Sequence, residues 1–163
     1  MAIPAYLWLK DDGENLVKGS VDVHQREGSI EITALAHDVS LPTDDMSGKI
    51  TGTCEHAPFI LTKASDSSSP YLYQFVSSGK LLKSAELKFY RINYSGQEEE
   101  YFNVLLENAR ITSVVPFMED VKDPEYEHHD HLEVFEMTYE KITWQYLEGN
   151  IIHSDSRKGR SAA

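Results

Sequence analysis

Ser29-Ile30-Glu31-Ile32-Thr33-Ala34 alternates apolar and polar residues one by one. Successive side chains of a strand point to opposite faces. The alternation therefore predicts a strand with Ile30, Ile32 and Ala34 on one buried face and Ser29, Glu31 and Thr33 on the other. The same period of two recurs on both sides of this stretch. Ala85-Glu86-Leu87-Lys88-Phe89 alternates, and Ile142, Trp144 and Tyr146 alternate with Thr143 and Gln145. Ile111 to Val115 is a run rich in β-branched residues, which fit a pleated surface. Tyr6-Leu7-Trp8-Leu9 reads as a short first strand that ends in the turn Asp11-Asp12-Gly13. Ala57 to Thr62 is a further strand. Asn93-Tyr94-Ser95-Gly96 turns one strand into Glu100-Tyr101-Phe102-Asn103-Val104-Leu105-Leu106, making a hairpin. Leu132 to Tyr146 is predicted as a last strand pair, with a slip of one residue at Val134-Phe135 that suggests a bulge. Glu148-Gly149-Asn150 then turns the chain into Ile151-Ile152-His153.

One segment has helical spacing instead. In Ser69 to Gly79, Leu72, Phe75 and Val76 share a face at a period of 3.6. Ser69 suits the cap, Pro70 the first helical position and Gly79 the stop. The chain is thus read as one mainly β domain with one short helix. From Leu41 to Gly52 no pattern holds. Pro42, Asp44, Asp45, Ser47, Gly48 and Gly52 are turn formers, and only Met46 and Ile50 interrupt the polarity. A loop of this length inside a compact domain often carries function.

The totals narrow the function. At 163 residues the chain has the length of a single domain. The net charge is -12, from 15 Lys+Arg against 27 Asp+Glu. That charge argues against nucleic acid and against an anionic membrane surface, both of which need a basic face. The single cysteine, Cys54, cannot close an internal disulfide, so the fold does not depend on an oxidising compartment. No stretch approaches the length of a membrane span. Met1 to Tyr6 shows no basic region followed by an apolar run, so no classical signal peptide is expected.

Catalytic and metal motifs are thin. His128-His129-Asp130-His131 offers imidazole and carboxylate, but neighbours on a strand face opposite ways, so at most His129 and His131 share a side. A solvated loop is the expected reading, with no metal and no cofactor. Cys54 and His56, two residues apart, could face each other as nucleophile and base. Nothing else supports catalysis, and a half-buried cysteine is expected. No phosphate loop, serine elbow or dinucleotide glycine pattern is present. Glu98-Glu99-Glu100 reads as a solvated strand entrance, and Tyr71, Tyr73 and Phe75 as core and helix packing. No catalytic residue is assigned, and the chain is not expected to be an enzyme.

Taken in order, several stretches resemble the Hcp family, the inner-tube protein of bacterial type VI secretion systems. They are Met1 to Lys10, Gly19 to Val23, Arg26 to Glu31, Asp66 to Tyr73, Tyr139 to Trp144 and Gly149 to Ser154. They span almost the whole chain and are most similar to the enterobacterial branch. That branch implies an aromatic residue near position 157, where Arg157 stands. The resemblance implies a β-barrel of two packed antiparallel sheets with one helix on its side, over residues 1–153. It implies a hexameric ring, rings stacked into a hollow tube, a contractile sheath that expels the tube and a spike protein that caps it. Small effectors would ride in the lumen. The protein would be made in the bacterial cytoplasm and leave by the type VI route. The residues past the domain, 154–163, are expected to form a polar, mobile tail too short for a fused toxin. The family's extended loop reaches the adjacent ring, which assigns inter-ring contact to Thr43, Asp44, Asp45, Met46, Ser47, Gly48, Lys49 and Ile50. Two competing readings are a monomeric barrel with an apolar ligand cavity and a hydrolase built on the His128–His131 loop.

Overall fold

The computed structural model describes residues 3–157. Among the described residues there are twelve strands. The first three are β1 (Ala5–Asp11), β2 (Leu16–Val17) and β3 (Ile30–Ile32). Next come β4 (Ala34–Ala36), β5 (Val39–Ser40), β6 (Glu55–His56) and β7 (Phe59–Ala64). The helix α1 (Ser69–Ser78) follows, and then β8 (Leu82–Ile92), β9 (Glu98–Phe117), β10 (Leu132–Thr138), β11 (Lys141–Tyr146) and β12 (Ile151–Ser156). All pairings are antiparallel.

The opening stretch is not one strand but two. Ile30 and Ile32 are buried and pair with β1, whereas Ala34 is exposed and pairs with Thr62 of β7. The chain crosses from one sheet to the other at Thr33, whose N–H donates to the Thr62 carbonyl at 2.9 Å. Strand β9 crosses the same way. Its first part pairs with β8 and β11, and its last part, from Arg110, pairs with β10. The two sheets are therefore joined along β3–β4 on one side and along β9 on the other, which closes a barrel. The predicted run Ile111 to Val115 is the far end of this one 20-residue strand.

The predicted last strand pair is also different. β10 and β11 lie end to end along β9, bent between them at Tyr139-Glu140, and do not fold on each other. The bulge falls where β10 passes Glu136 to Met137 against β9, two residues beyond the predicted slip. Val134 does not point inward. The inward set is Glu133, Phe135 and Met137, and the apparent slip in the pattern arises because Glu133 is buried.

That buried carboxylate has a partner. Lys63 on β7 lies opposite Glu133 in register, and both side chains are almost wholly out of water, at 0% and 1% exposure. The Lys63 ammonium pairs with Glu133 and donates to Asp66 Oδ1 at 2.9 Å and Ser69 Oγ at 3.1 Å. Ser69 Oγ donates to Glu133 Oε1 at 2.6 Å and accepts from the Asp66 N–H at 2.9 Å. A buried charge must be paired and hydrogen-bonded to be tolerated. Here the pairing also anchors the start of α1, because Asp66 accepts from the Ser68 N–H at 2.9 Å. The cap thus sits at Ser68, one residue before the predicted position. Ser69 therefore takes the first helical position and Pro70 the second, while Gly79 holds the expected place with φ 67°. Leu72 and Phe75 insert from the helix into a core formed by Leu7, Leu9, Leu61, Leu87, Leu106 and Phe135, among others. Tyr71 and Tyr73 do not join it. They are exposed on the outer face of the helix, against the expectation of packing.

Part of the stretch expected as a tail is strand. Ser154 to Ser156 continue β12 along β11, and Thr143 Oγ1 meets Ser154 Oγ at 2.9 Å. The rest of the expected tail, residues 158–163, lies outside the described residues.

Candidate functional site

The stretch from Leu41 to Gly52 forms a finger standing on the short pair β5–β6, in which Val39 lies opposite His56 and Ser40 opposite Glu55. Above that root, Thr51 N–H donates to the Pro42 carbonyl at 2.9 Å, and Thr43 bridges to Ile50. The tip closes through Asp44, whose N–H donates to the Lys49 carbonyl at 2.7 Å and whose carbonyl accepts from the Gly48 N–H at 2.8 Å. The Asp44 carboxylate accepts from the backbone N–H groups of Ser47 and Met46, each at 2.8 Å. Those bonds, Ser47 first, hold its pKa below the usual carboxylate range. Gly48 takes φ 70°, the left-handed conformation that glycine reaches without a Cβ penalty. The sequence reads these turn formers as a plain loop. In the structure they are the chemistry of a hairpin tip.

The finger buries almost nothing. Met46 is 99% exposed and Ile50 65%, and Thr43, Asp44, Asp45, Ser47, Gly48 and Lys49 are also open to solvent. Two apolar side chains held out on a hydrogen-bonded projection have no packing role inside the subunit. They are available to a second surface.

The root of the finger is polar and crowded. His56, whose side chain is 2% exposed, presents Nε2 to Asp155 Oδ2 on β12 at 2.6 Å and Nδ1 to the Tyr139 hydroxyl at 2.7 Å. The same hydroxyl meets His37 Nε2 at 2.8 Å. Cys54 Sγ lies 4.0 Å from His56 Nε2. Burial pushes the Tyr139 hydroxyl up to about 12. Burial, with His56 alongside, pushes His37 below its usual value. Arg157 donates to the His56 carbonyl at 2.6 Å and lies over the Tyr139 ring at 5.1 Å. A cation stacked on an aromatic face thus stands at the position where the resemblance implies an aromatic residue.

Sequence spacing placed Cys54 beside His56, and the structure does bring them together. It could not supply His37, from the turn between β4 and β5, Tyr139, from the bend between β10 and β11, or Asp155 on β12, none of which carries a local motif. The three histidines of the other candidate are elsewhere. His128 is exposed beside Glu127 at 3.2 Å, and the His129 ring packs on Tyr126 at 5.2 Å.

Residues 6–146 match the family model described as type VI secretion system effector, Hcp. The chain belongs to the Hcp family. A mutant of Hcp1 from the E. coli EAEC 042 pathovar is 57% identical and superposes with a TM-score of 0.87, over 95% of this chain and 99% of that one. The major exported protein of Pseudomonas aeruginosa is 32% identical over 95% of each chain. The secreted protein Hcp3 from Pseudomonas aeruginosa is 26% identical with a TM-score of 0.75, over 94% of this chain and 97% of that one. Hcp proteins are the tube components of type VI secretion, and this chain is a tube protein of that system, whose relatives are exported by it. The family is structural and not known for enzymes. Among the described residues, no helix is long and apolar enough to cross a membrane.

Proposed function

We propose that six copies of this Hcp subunit close head-to-tail into a ring, and that rings stack through the finger from Thr43 to Ile50. A heterologous contact closes when its rotation completes a circle, whereas ring-on-ring stacking never closes and grows a filament. Separate surfaces let the two contacts be tuned separately. The observation that carries the assignment is the finger itself: it is hydrogen-bonded from root to tip, yet it displays Met46 and Ile50 to solvent. Met46 adapts to varied surfaces. Asp44, Asp45 and Lys49 would form rim contacts, each worth under about 1 kcal/mol when exposed. The tube so formed would be capped by a spike protein, expelled by a contractile sheath and able to hold small effectors in its lumen. Export would require no signal peptide and the subunit no catalytic residue.

Replacing Asp44 through Lys49 with a short Gly-Ser linker tests the division of surfaces. The expected result is an intact ring by light scattering in reductant and chelator, with loss of tubes by negative-stain microscopy and loss of secretion. Tubes that still form would refute the finger as the stacking element. Collapse to a monomer would assign it to the ring contact instead.

A further inference from the structure

Cys54 Sγ, His56 Nε2 and an Asp155 carboxylate oxygen all lie within 4.8 Å of one another at the root of the finger. The three residues are all partly buried. What such a cluster does turns on which nitrogen of His56 is used.

A proton relay needs both ring nitrogens. The nucleophile sits on one and the orienting carboxylate on the other. Here Cys54 Sγ at 4.0 Å and Asp155 Oδ2 at 2.6 Å converge on the same nitrogen, Nε2. Nδ1 is taken by Tyr139. The geometry therefore disfavours a cysteine nucleophile activated through His56. It matches a ligand set, in which donor atoms aim at one point and the second ring nitrogen is held by an outer partner. That outer partner is in turn fixed: His56 Nδ1–H can donate to the Tyr139 oxygen, and the Tyr139 O–H to His37 Nε2, at 2.7 and 2.8 Å.

We propose that Cys54, His56 and Asp155 bind one divalent ion of the zinc class, with Tyr139 and His37 as the outer shell that fixes the His56 tautomer. Thiolate, imidazole and carboxylate are the donors zinc accepts, and three protein ligands leave a fourth position for water. Tetrahedral bonds of 2.0–2.3 Å set donor atoms about 3.3–3.6 Å apart. His56 Nε2 and Asp155 must then separate by about 0.7 Å, and no pair must close by more than about 1.5 Å. Side-chain rotation supplies such shifts. Binding releases to solvent the proton held between Nε2 and Asp155 and the Cys54 thiol proton, and the two anionic ligands offset the ion's charge. Bound there, it adds a tie between the finger's root and β12 to the His56–Asp155 and Arg157–His56 contacts. A consequence for stacking rests on the proposed role of the finger, so binding and tube formation are measured apart.

The protein, purified without an affinity tag and stripped with chelator in reductant, is titrated with Co²⁺ and then Zn²⁺. One equivalent of Co²⁺ should produce a thiolate-to-cobalt charge-transfer band, which Zn²⁺ abolishes. Cys54→Ser should lose the band. Asp155→Asn and Tyr139→Phe should each weaken Zn²⁺ binding about tenfold or more. His129→Ala should change neither. In the protein with Asp44 through Lys49 replaced, the band should persist whether or not tubes form, which keeps a failure of the stacking reading apart from a failure of this one. Absence of the band in the unsubstituted protein overturns the proposal, and that measurement needs no variant to fold. Loss of binding on His129→Ala also overturns it.

Discussion

Glu133→Ala removes one partner from the buried pair with Lys63. Both side chains are out of water, so the lysine ammonium would remain at 0% exposure with its main counter-charge gone. Breaking a buried pair this way costs about 3–5 kcal/mol, chiefly because the remaining charge is uncompensated. Asp66 at 2.9 Å keeps part of the compensation, which places the expected loss toward the lower end of that range. Ser69 Oγ also loses its acceptor and the start of α1 loses one of its ties to β10. For a domain of this size 1 kcal/mol shifts the midpoint by about 2–4 °C, so a loss near 3 kcal/mol corresponds to about 6–12 °C. Thermal and urea unfolding at one fixed protein concentration are the assays, because ring association itself shifts the apparent midpoint. The double variant Lys63→Met, Glu133→Leu is the control. Apolar replacement of a whole buried pair is often neutral or better. Here Asp66 and Ser69 lose Lys63 as well, so at least half of the loss should return, not all of it. A loss under about 1 kcal/mol for Glu133→Ala would refute the reasoning, since it would equal an exposed pair. A double variant as unstable as the single one would show that the pair's shape, not its charge, matters.

Two further outcomes are expected. Burial raises the pKa of Asp66, but the Ser68 hydroxyl and the Lys63 ammonium outweigh it and hold the carboxyl below its usual value. A depressed folded value contributes stability above the unfolded value, about 3.9, and that contribution is lost as pH falls through the folded one. The destabilisation of Asp66→Asn relative to the parent, followed by urea midpoints across an acid series, should therefore shrink below pH about 4; a gap that stays constant or widens in acid refutes the assignment. Salt should lengthen tubes, because each subunit carries a net charge of -12 and the screening length falls to about 10 Å at 0.1 M. Particle length by microscopy over a salt series is the readout, and shortening would point to ion pairs between rings, with Lys49 the first to test.

The elements that were legible in sequence are those whose evidence is local. Leu72, Phe75, Pro70 and Gly79 sit within one helix, and their spacing alone identifies it. Alternation did the same for β8 and β11. It failed where a strand changes sheets. Ala34 continues the alternation of Ile30 and Ile32 in sequence, yet Thr33 turns the chain to a new partner and Ala34 faces out. A pattern of period two records which face a residue shares with its neighbours, not which strand lies beside it.

The buried charges mark the same boundary from the other side. Glu133 sits among inward residues, and a reading by hydrophobicity alone shifts the face by one residue to keep a glutamate outside. Its partner Lys63 lies on another strand, as Asp155 does for His56, and Tyr139 meets His37 from the bend between β10 and β11. In each case the polar residue is tolerable in the interior only because of a side chain far off in sequence. Such residues break the local pattern because their compensation is tertiary. A residue that spoils an otherwise clean alternation in this barrel is therefore a pointer to a long-range partner, and both polar clusters found here, at the start of α1 and at the root of the finger, join a loop to a strand in that way.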